Sequence, residues 1–140
     1  MGTSEIFGEG ITIFKNRIYQ LTWQSHLVYV YDLNNLDKPI KTLNWPFEGW
    51  GITHNDSLLI ISDGSANIYF VDPENLSVKN TIAVTESTKP IGNLNELEYI
   101  NGSIFANIYT TPYIVKIDPE NGQVKGRLVF DNLLQQNEYV

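Results

Sequence analysis

Six positions spread through the 140 residues carry side chains that could act together: Glu9, Trp23, Trp50, Asp63, Asn95 and Tyr109. A carboxylate held between apolar walls is desolvated in its charged form. That raises its pKa toward the range where it can both take and give a proton. A carboxamide can orient a polar group of a ligand, and rings can stack on it and exclude water. A concave, mostly apolar pocket with a few convergent polar groups is the common form of a ligand site. Taken singly, each position also has a structural explanation. Glu9 lies between Gly8 and Gly10 as in a turn, and the tryptophans could be packing residues. Asp63 belongs to Ser62-Asp63-Gly64-Ser65, a hairpin turn, and reads as architectural. His26 and His54 lack metal-ligand spacing and are expected near turns and exposed. No nucleophile elbow, phosphate loop or zinc signature occurs.

What gathers these positions is a repeat. Helical periodicity is nearly absent, and short alternating or β-branched runs are cut by turn residues. Strands are expected at Gly10–Phe14, Arg17–Trp23, Leu27–Tyr31 and Ile40–Trp45. The same order returns at Ile52–Thr53, Leu58–Ser62, Asn67–Val71 and Asn80–Val84. It returns again at Glu98–Ile100, Ser103–Tyr109, Tyr113–Ile117 and Lys125–Phe130. Each third strand ends in an acid, Asp32, Asp72 or Asp118, spaced by 40 and then 46 residues. Asp at a turn start accepts backbone N–H groups, and Pro73 and Pro119 pre-set φ at the next position. Four strands recurring at this period are the mark of propeller blades. The expected fold is therefore all-β, a single domain over residues 1–140 with repeats at roughly 8–46, 47–85 and 93–131. Three blades are fewer than the four or more of a closed ring, so the expectation is a partial β-propeller. Its open sheet edges are expected to favour self-association.

Register turns the repeat into a site. Once the offsets of 40 and 46 are removed, the first strands begin at Glu9, Gly49-Trp50 and Asn95-Glu96. The second strands end at Trp23, Asp63 and Tyr109. Adjacent strands of a blade are antiparallel, so these starts and ends share one rim. The first strand is the inner one, and the six positions are expected around the mouth of the central channel.

Composition excludes several partners. Net charge is −7 with the Lys and Arg residues dispersed, so nothing offers phosphate a basic patch, and neither nucleic acid nor anionic membrane is expected to bind. With no cysteine there is no disulfide frame and no thiolate metal site. No apolar run approaches the roughly 18 residues of a membrane span. Met1-Gly2-Thr3-Ser4-Glu5 has no signal-peptide pattern. Asn55, Asn75 and Asn101 head glycosylation sequons, which matter only in a glycosylating compartment.

At these residues the chain resembles the propeller-type glutaminyl-peptide cyclotransferases of plants and bacteria. The stretches that carry the resemblance are Phe7-Gly8-Glu9-Gly10-Ile11-Thr12, Gln20-Leu21-Thr22-Trp23, Glu48-Gly49-Trp50-Gly51-Ile52-Thr53, Ser62-Asp63-Gly64-Ser65, Leu94-Asn95-Glu96-Leu97-Glu98 and Ala106-Asn107. Six short strings in the family's order are specific where any one is weak. The resemblance implies a five-bladed propeller that needs no metal or other cofactor. It implies conversion of the N-terminal glutamine of a peptide or protein to pyroglutamate, with release of ammonia. It implies Glu9 as the acid/base carboxylate, Phe7, Trp23 and Trp50 as pocket rings, and Asn95 as the carboxamide that holds substrate. Tyr109 stands where the family usually has Trp. The family's pattern places a further blade, with an aromatic and a glutamine of the site, before Met1, and a lysine beyond Val140. A secreted or periplasmic location is also implied by the family rather than by any signal in this chain.

The chemistry suits the residue types. The α-amine of an N-terminal glutamine attacks its own γ-carbonyl, so the site need only hold the side chain folded and move a proton from the amine to the leaving amide nitrogen. Two other readings remain open on sequence. One is a metal-dependent, lactonase-like propeller hydrolase with Glu9, Asn95 and Asp63 on Ca²⁺. The other is a non-catalytic propeller that binds peptides or sugars through its rings.

Overall fold

The computed structural model describes residues 8–129, with the side chains of Gly8 and Glu9 outside that description. All regular structure among these residues is strand. The first sheet comprises β1 (Gly8–Phe14), β2 (Arg17–Thr22), β3 (Leu27–Asp32) and β4 (Lys41–Asn44). The second comprises β5 (Gly51–His54), β6 (Leu59–Ser62), β7 (Asn67–Val71) and β8 (Val78–Ala83). A small hairpin of β9 (Thr85–Glu86) and β10 (Lys89–Pro90) leads to the third: β11 (Leu94–Ile100), β12 (Ser103–Ile108), β13 (Tyr113–Ile117) and β14 (Val124–Val129). Each four-stranded sheet pairs its strands in chain order, antiparallel throughout. β1 lies against β5, and β5 against β11. The first strand of each sheet is thus innermost, and the described residues form a partial β-propeller of three four-stranded blades.

The turns show why the chain folds in units of four strands. Asp32, Asp72 and Asp118 each accept the backbone N–H two residues on, at 2.8, 2.8 and 2.9 Å. One small device is therefore repeated three times, and it closes each third-to-fourth-strand connection. Lys15-Asn16 and Asn101-Gly102 both have positive φ at their two central positions, the twist that a two-residue hairpin requires.

Packing holds the blades face to face. The second sheet is buried on both sides. Leu59, Ile61, Tyr69 and Val71 share a core with Leu21, Val28 and Val30 of the first sheet and with Trp45, which follows β4. Ile60, Ile68, Phe70 and Ile82 meet Leu94, Leu97, Ile104 and Val115 of the third. That explains why β6 reads as an unbroken apolar run rather than an alternating one. Trp45 is fully buried, with its indole N–H donating to the Glu48 carbonyl at 3.0 Å.

Pairing also corrects the register. Ile11 pairs with Gln20, Ile52 with Ile61 and Leu97 with Ala106, and the partners continue to Tyr29, Tyr69 and Val115. The inner-strand offsets are thus 41 and 45, not the 40 and 46 of the aspartates. The reason is one residue: the β6–β7 connection is shorter by that much than β2–β3 and β12–β13. Glu9, Trp50 and Asn95 are therefore counterparts, and continuing the same offsets along the second strands matches Trp23 with Gly64 and Tyr109. Gly49 and Asp63 fall one step away.

Smaller departures have local causes. β11 begins at Leu94 rather than Glu98, because tertiary pairing overrides the weak strand propensity of Asn95 and Glu96. His54 ends β5 beside the Asn55–Leu58 turn, as expected, but is half-buried rather than exposed, with its ring 4.8 Å from that of Phe14. His26 is exposed at φ 60°, its Nδ1 2.9 Å from the Phe47 carbonyl.

Candidate active site at the rim of the inner strands

Antiparallel pairing sets Gly8 beside Thr22, Gly51 beside Ser62 and Leu94 beside Ile108. The starts of the three inner strands and the ends of their neighbours therefore share one rim. Two of these starts carry a β-bulge. Glu9 and Gly10 together oppose Leu21, and Asn95 and Glu96 together oppose Asn107. A bulge leaves one residue outside the ladder and re-aims its neighbour. At the third blade the freed N–H of Glu96 is taken by Asn107 Oδ1 at 2.7 Å. Asn107 thus fixes the bulge that presents Asn95.

Asn95 is held by its backbone and open at its side chain. Its carbonyl accepts the Ser62 hydroxyl at 2.7 Å. Gly51 lets β5 approach so closely that a Cβ there would stand 2.0 Å from the same carbonyl oxygen. The side-chain Oδ1 is buried and, among the described residues, meets no hydrogen-bond donor. Beside it in the bulge, Glu96 is exposed at its surface, yet partial desolvation, and then the nearby Glu98 charge, push its carboxyl above its ordinary pKa.

Three rings among the described residues stand at this rim. Trp23 and Tyr109 occupy equivalent strand ends and are 42% and 51% exposed, as rings at an open mouth would be. Trp50 lies edge-on to Tyr109, with centroids 5.4 Å apart. Its indole N–H donates to Glu48 Oε1 at 2.9 Å, and its backbone N–H to the Ser62 carbonyl at 3.0 Å. Phe7 and the side chain of Glu9 lie outside the described residues; the backbone of Glu9 sits in the β1 bulge.

Asp63 is spent within its own blade. Its Oδ2 accepts the Tyr69 hydroxyl at 3.0 Å, and its Oδ1 accepts both the N–H and the hydroxyl of Ser65. Burial, and then the Asp63 carboxylate, hold the Tyr69 phenol above its ordinary pKa. Phe47 stacks on Tyr69 at 4.7 Å. Asp63 is thus the anchor of a turn.

A family model described as glutamine cyclotransferase matches residues 3–139. The chain belongs to the glutamine cyclotransferase family. It is 33% identical over 127 residues to the glutaminyl-peptide cyclotransferase of Arabidopsis thaliana, covering 91% of this chain and 40% of that protein. It superposes on the crystal structure of Myxococcus xanthus glutaminyl cyclase with a TM-score of 0.86 and 31% identity, over 94% of this chain and 56% of that one. The chain therefore spans about half the length of these relatives or less. The Neurospora crassa Pan2 WD40 domain, at 14% identity and a TM-score of 0.60, shares the fold alone.

Within this member of the family, three contributors to the rim escaped the sequence reading: Glu48, Gly64 and Asn107. Their strings carried the family resemblance, but their work depends on the one-residue register correction and on the bulge. The one local signal was glycine. Gly64, inside a polar turn, marks a place where another group comes close.

Proposed function

We propose that the ring to which these blades belong cyclises N-terminal glutamine of peptides to pyroglutamate and releases ammonia. The supporting observation is that Glu9, Trp50 and Asn95 are counterparts at the starts of three successive inner strands, with Asn95 Oδ1 buried and, among the described residues, without a donor. A buried acceptor without a donor costs about 1–3 kcal/mol, and a ligand that brings an N–H recovers it. The primary amide of a glutamine side chain brings such a group. Asn95 then fixes the γ-amide, while Phe7, Trp23, Trp50 and Tyr109 wall the site and keep the side chain folded onto the α-amine.

The free amine, with pKa about 7.7–8.0, attacks the γ-carbonyl carbon and closes the five-membered ring. Glu9 takes the proton the amine loses and delivers it to the amide nitrogen, whose bond to carbon breaks as ammonia leaves. Nothing is oxidised, and the carboxylate ends as it began. The reading with Ca²⁺ on Glu9, Asn95 and Asp63 is less well supported, because both oxygens of Asp63 already serve Tyr69 and Ser65.

In protein spanning the full length of the relatives, Glu9→Gln should lower ammonia release from a glutaminyl peptide by at least about tenfold, with an unchanged far-UV spectrum. Full turnover in that variant would refute the role of Glu9.

A further inference from the structure

Blade two breaks the aromatic pattern of the rim. Its counterpart of Trp23 and Tyr109 is Gly64, and the space a side chain would take there is filled by the Trp50 indole. A Cβ at Gly64 would stand 2.4, 2.5 and 2.8 Å from Trp50 Cε2, Cζ2 and Cδ2. Gly64 also has φ +86°, a conformation that other residues adopt only with strain. Two independent constraints, one steric and one conformational, therefore call for glycine at this position.

The seat is fastened on three sides. Glu48 Oε1 accepts the indole N–H. The Gly64 carbonyl accepts the N–H of Asn93, and the Asn93 carbonyl accepts the N–H of Tyr109, at 2.9 and 2.8 Å. That backbone relay ties the Trp50 seat in blade two to the Tyr109 strand end in blade three, which explains how two rings from different blades keep their edge-on contact.

We infer that Gly64 and Glu48 are positioning residues that set the orientation of Trp50. Trp50 thereby becomes the wall standing between the acid/base position at 9 and the amide-holding position at 95. This rests on the cyclotransferase reading given above. A planar ring held at one angle favours the folded side chain of an N-terminal glutamine over extended conformers, so these residues act on the fraction of bound substrate that is ready to close. A misplacement of about 1 Å in such a geometry can cost about 100-fold in rate.

The test is made in full-length protein with a glutaminyl dipeptide, measuring ammonia release and near-UV circular dichroism. Glu48 is exposed, so Glu48→Ala should fold normally, shift the near-UV signal of the Trp50–Tyr109 pair and lower kcat by about tenfold, with a smaller change in KM. Glu48→Gln keeps an acceptor and should restore both readouts to within about threefold of wild type. Gly64→Ala should reproduce the near-UV shift of Glu48→Ala. An unchanged near-UV signal in both Glu48→Ala and Gly64→Ala overturns the inference, and so does a Glu48→Gln variant as impaired as Glu48→Ala. Should the wild-type protein release no ammonia, the cyclotransferase reading fails by itself, and the near-UV comparison still decides whether Glu48 and Gly64 seat the ring.

Discussion

A carboxamide and a carboxylate share the bulge at 95 and 96, yet their surroundings ask different things of them. Asn95 presents a buried acceptor that meets no donor among the described residues, which suits a group meant to meet a ligand. Glu96, though exposed, meets partial desolvation and the neighbouring Glu98, and both disfavour its charged form. The sign of the consequence follows from linkage. With its carboxyl pKa raised in the folded state, Glu96 contributes stability that is fully present below the unfolded value, near 4.3, and is lost as pH rises through the raised native value. Glu96→Gln removes that ionisation. The urea midpoint of the variant should exceed that of wild type at pH 7, and the gap should close toward pH 4. A gap of equal size at both ends of the range would show that Glu96 is not the strained carboxylate.

At the scale of strands, close approach of β5 and β11 decides where the rim residues stand. Gly51 permits it: a methyl there meets the Asn95 carbonyl oxygen at 2.0 Å, and that oxygen is also the acceptor for Ser62. Gly51→Ala should therefore force the two inner strands apart and cost about 1–3 kcal/mol, as overpacking does. Gly126→Ala, in β14, meets nothing closer than 4.0 Å and should change stability by no more than about 0.5 kcal/mol. Equal urea midpoints for the two variants would show that the approach is not tight. These contacts also explain what was legible in the residues alone. The four-strand repeat could be read because Asp32, Asp72 and Asp118 do the same backbone work in each blade. The rim could be read only to within one residue, because the shorter β6–β7 connection shifts the inner strands while the aspartates keep their spacing. The bulges had no compositional mark beyond Gly10, and the β9–β10 hairpin, made of Thr85-Glu86 and Lys89-Pro90, has loop chemistry. Trp50 was picked out by type. That it, and not Gly49, is the counterpart of Glu9 needed the ladder.

At the scale of the whole molecule, the same ladder identifies the two outer faces of the three described blades. Ile11, Ile18, Gln20, Tyr31 and Leu36 line a groove on the first blade, and they are the counterparts of Ile52, Leu59, Ile61, Val71 and Leu76, which blade two buries against blade one. Phe105, Ile114, Lys116 and Leu128 on the third blade are the counterparts of Ile60, Ile68, Phe70 and Ile82, which blade two buries against blade three. One end is thus a leading blade face and the other a trailing one, and within the chain these two kinds of face already pack on each other. In a longer ring, neighbouring blades would cover both. In a polypeptide of these 140 residues, the two faces are complementary to each other across molecules, a head-to-tail contact that differs from a self-complementary one. Sedimentation velocity should then show association that increases with concentration. Ile11→Glu and Leu128→Glu alter residues that are 60% and 55% exposed, so they should block one face each without a folding cost. Each variant alone should sediment as a monomer, while an equal mixture, which retains one sound face of each kind, should form dimers and nothing larger. A mixture that stays monomeric would rule out head-to-tail pairing, and a native chain that stays monomeric at high concentration would rule out pairing altogether.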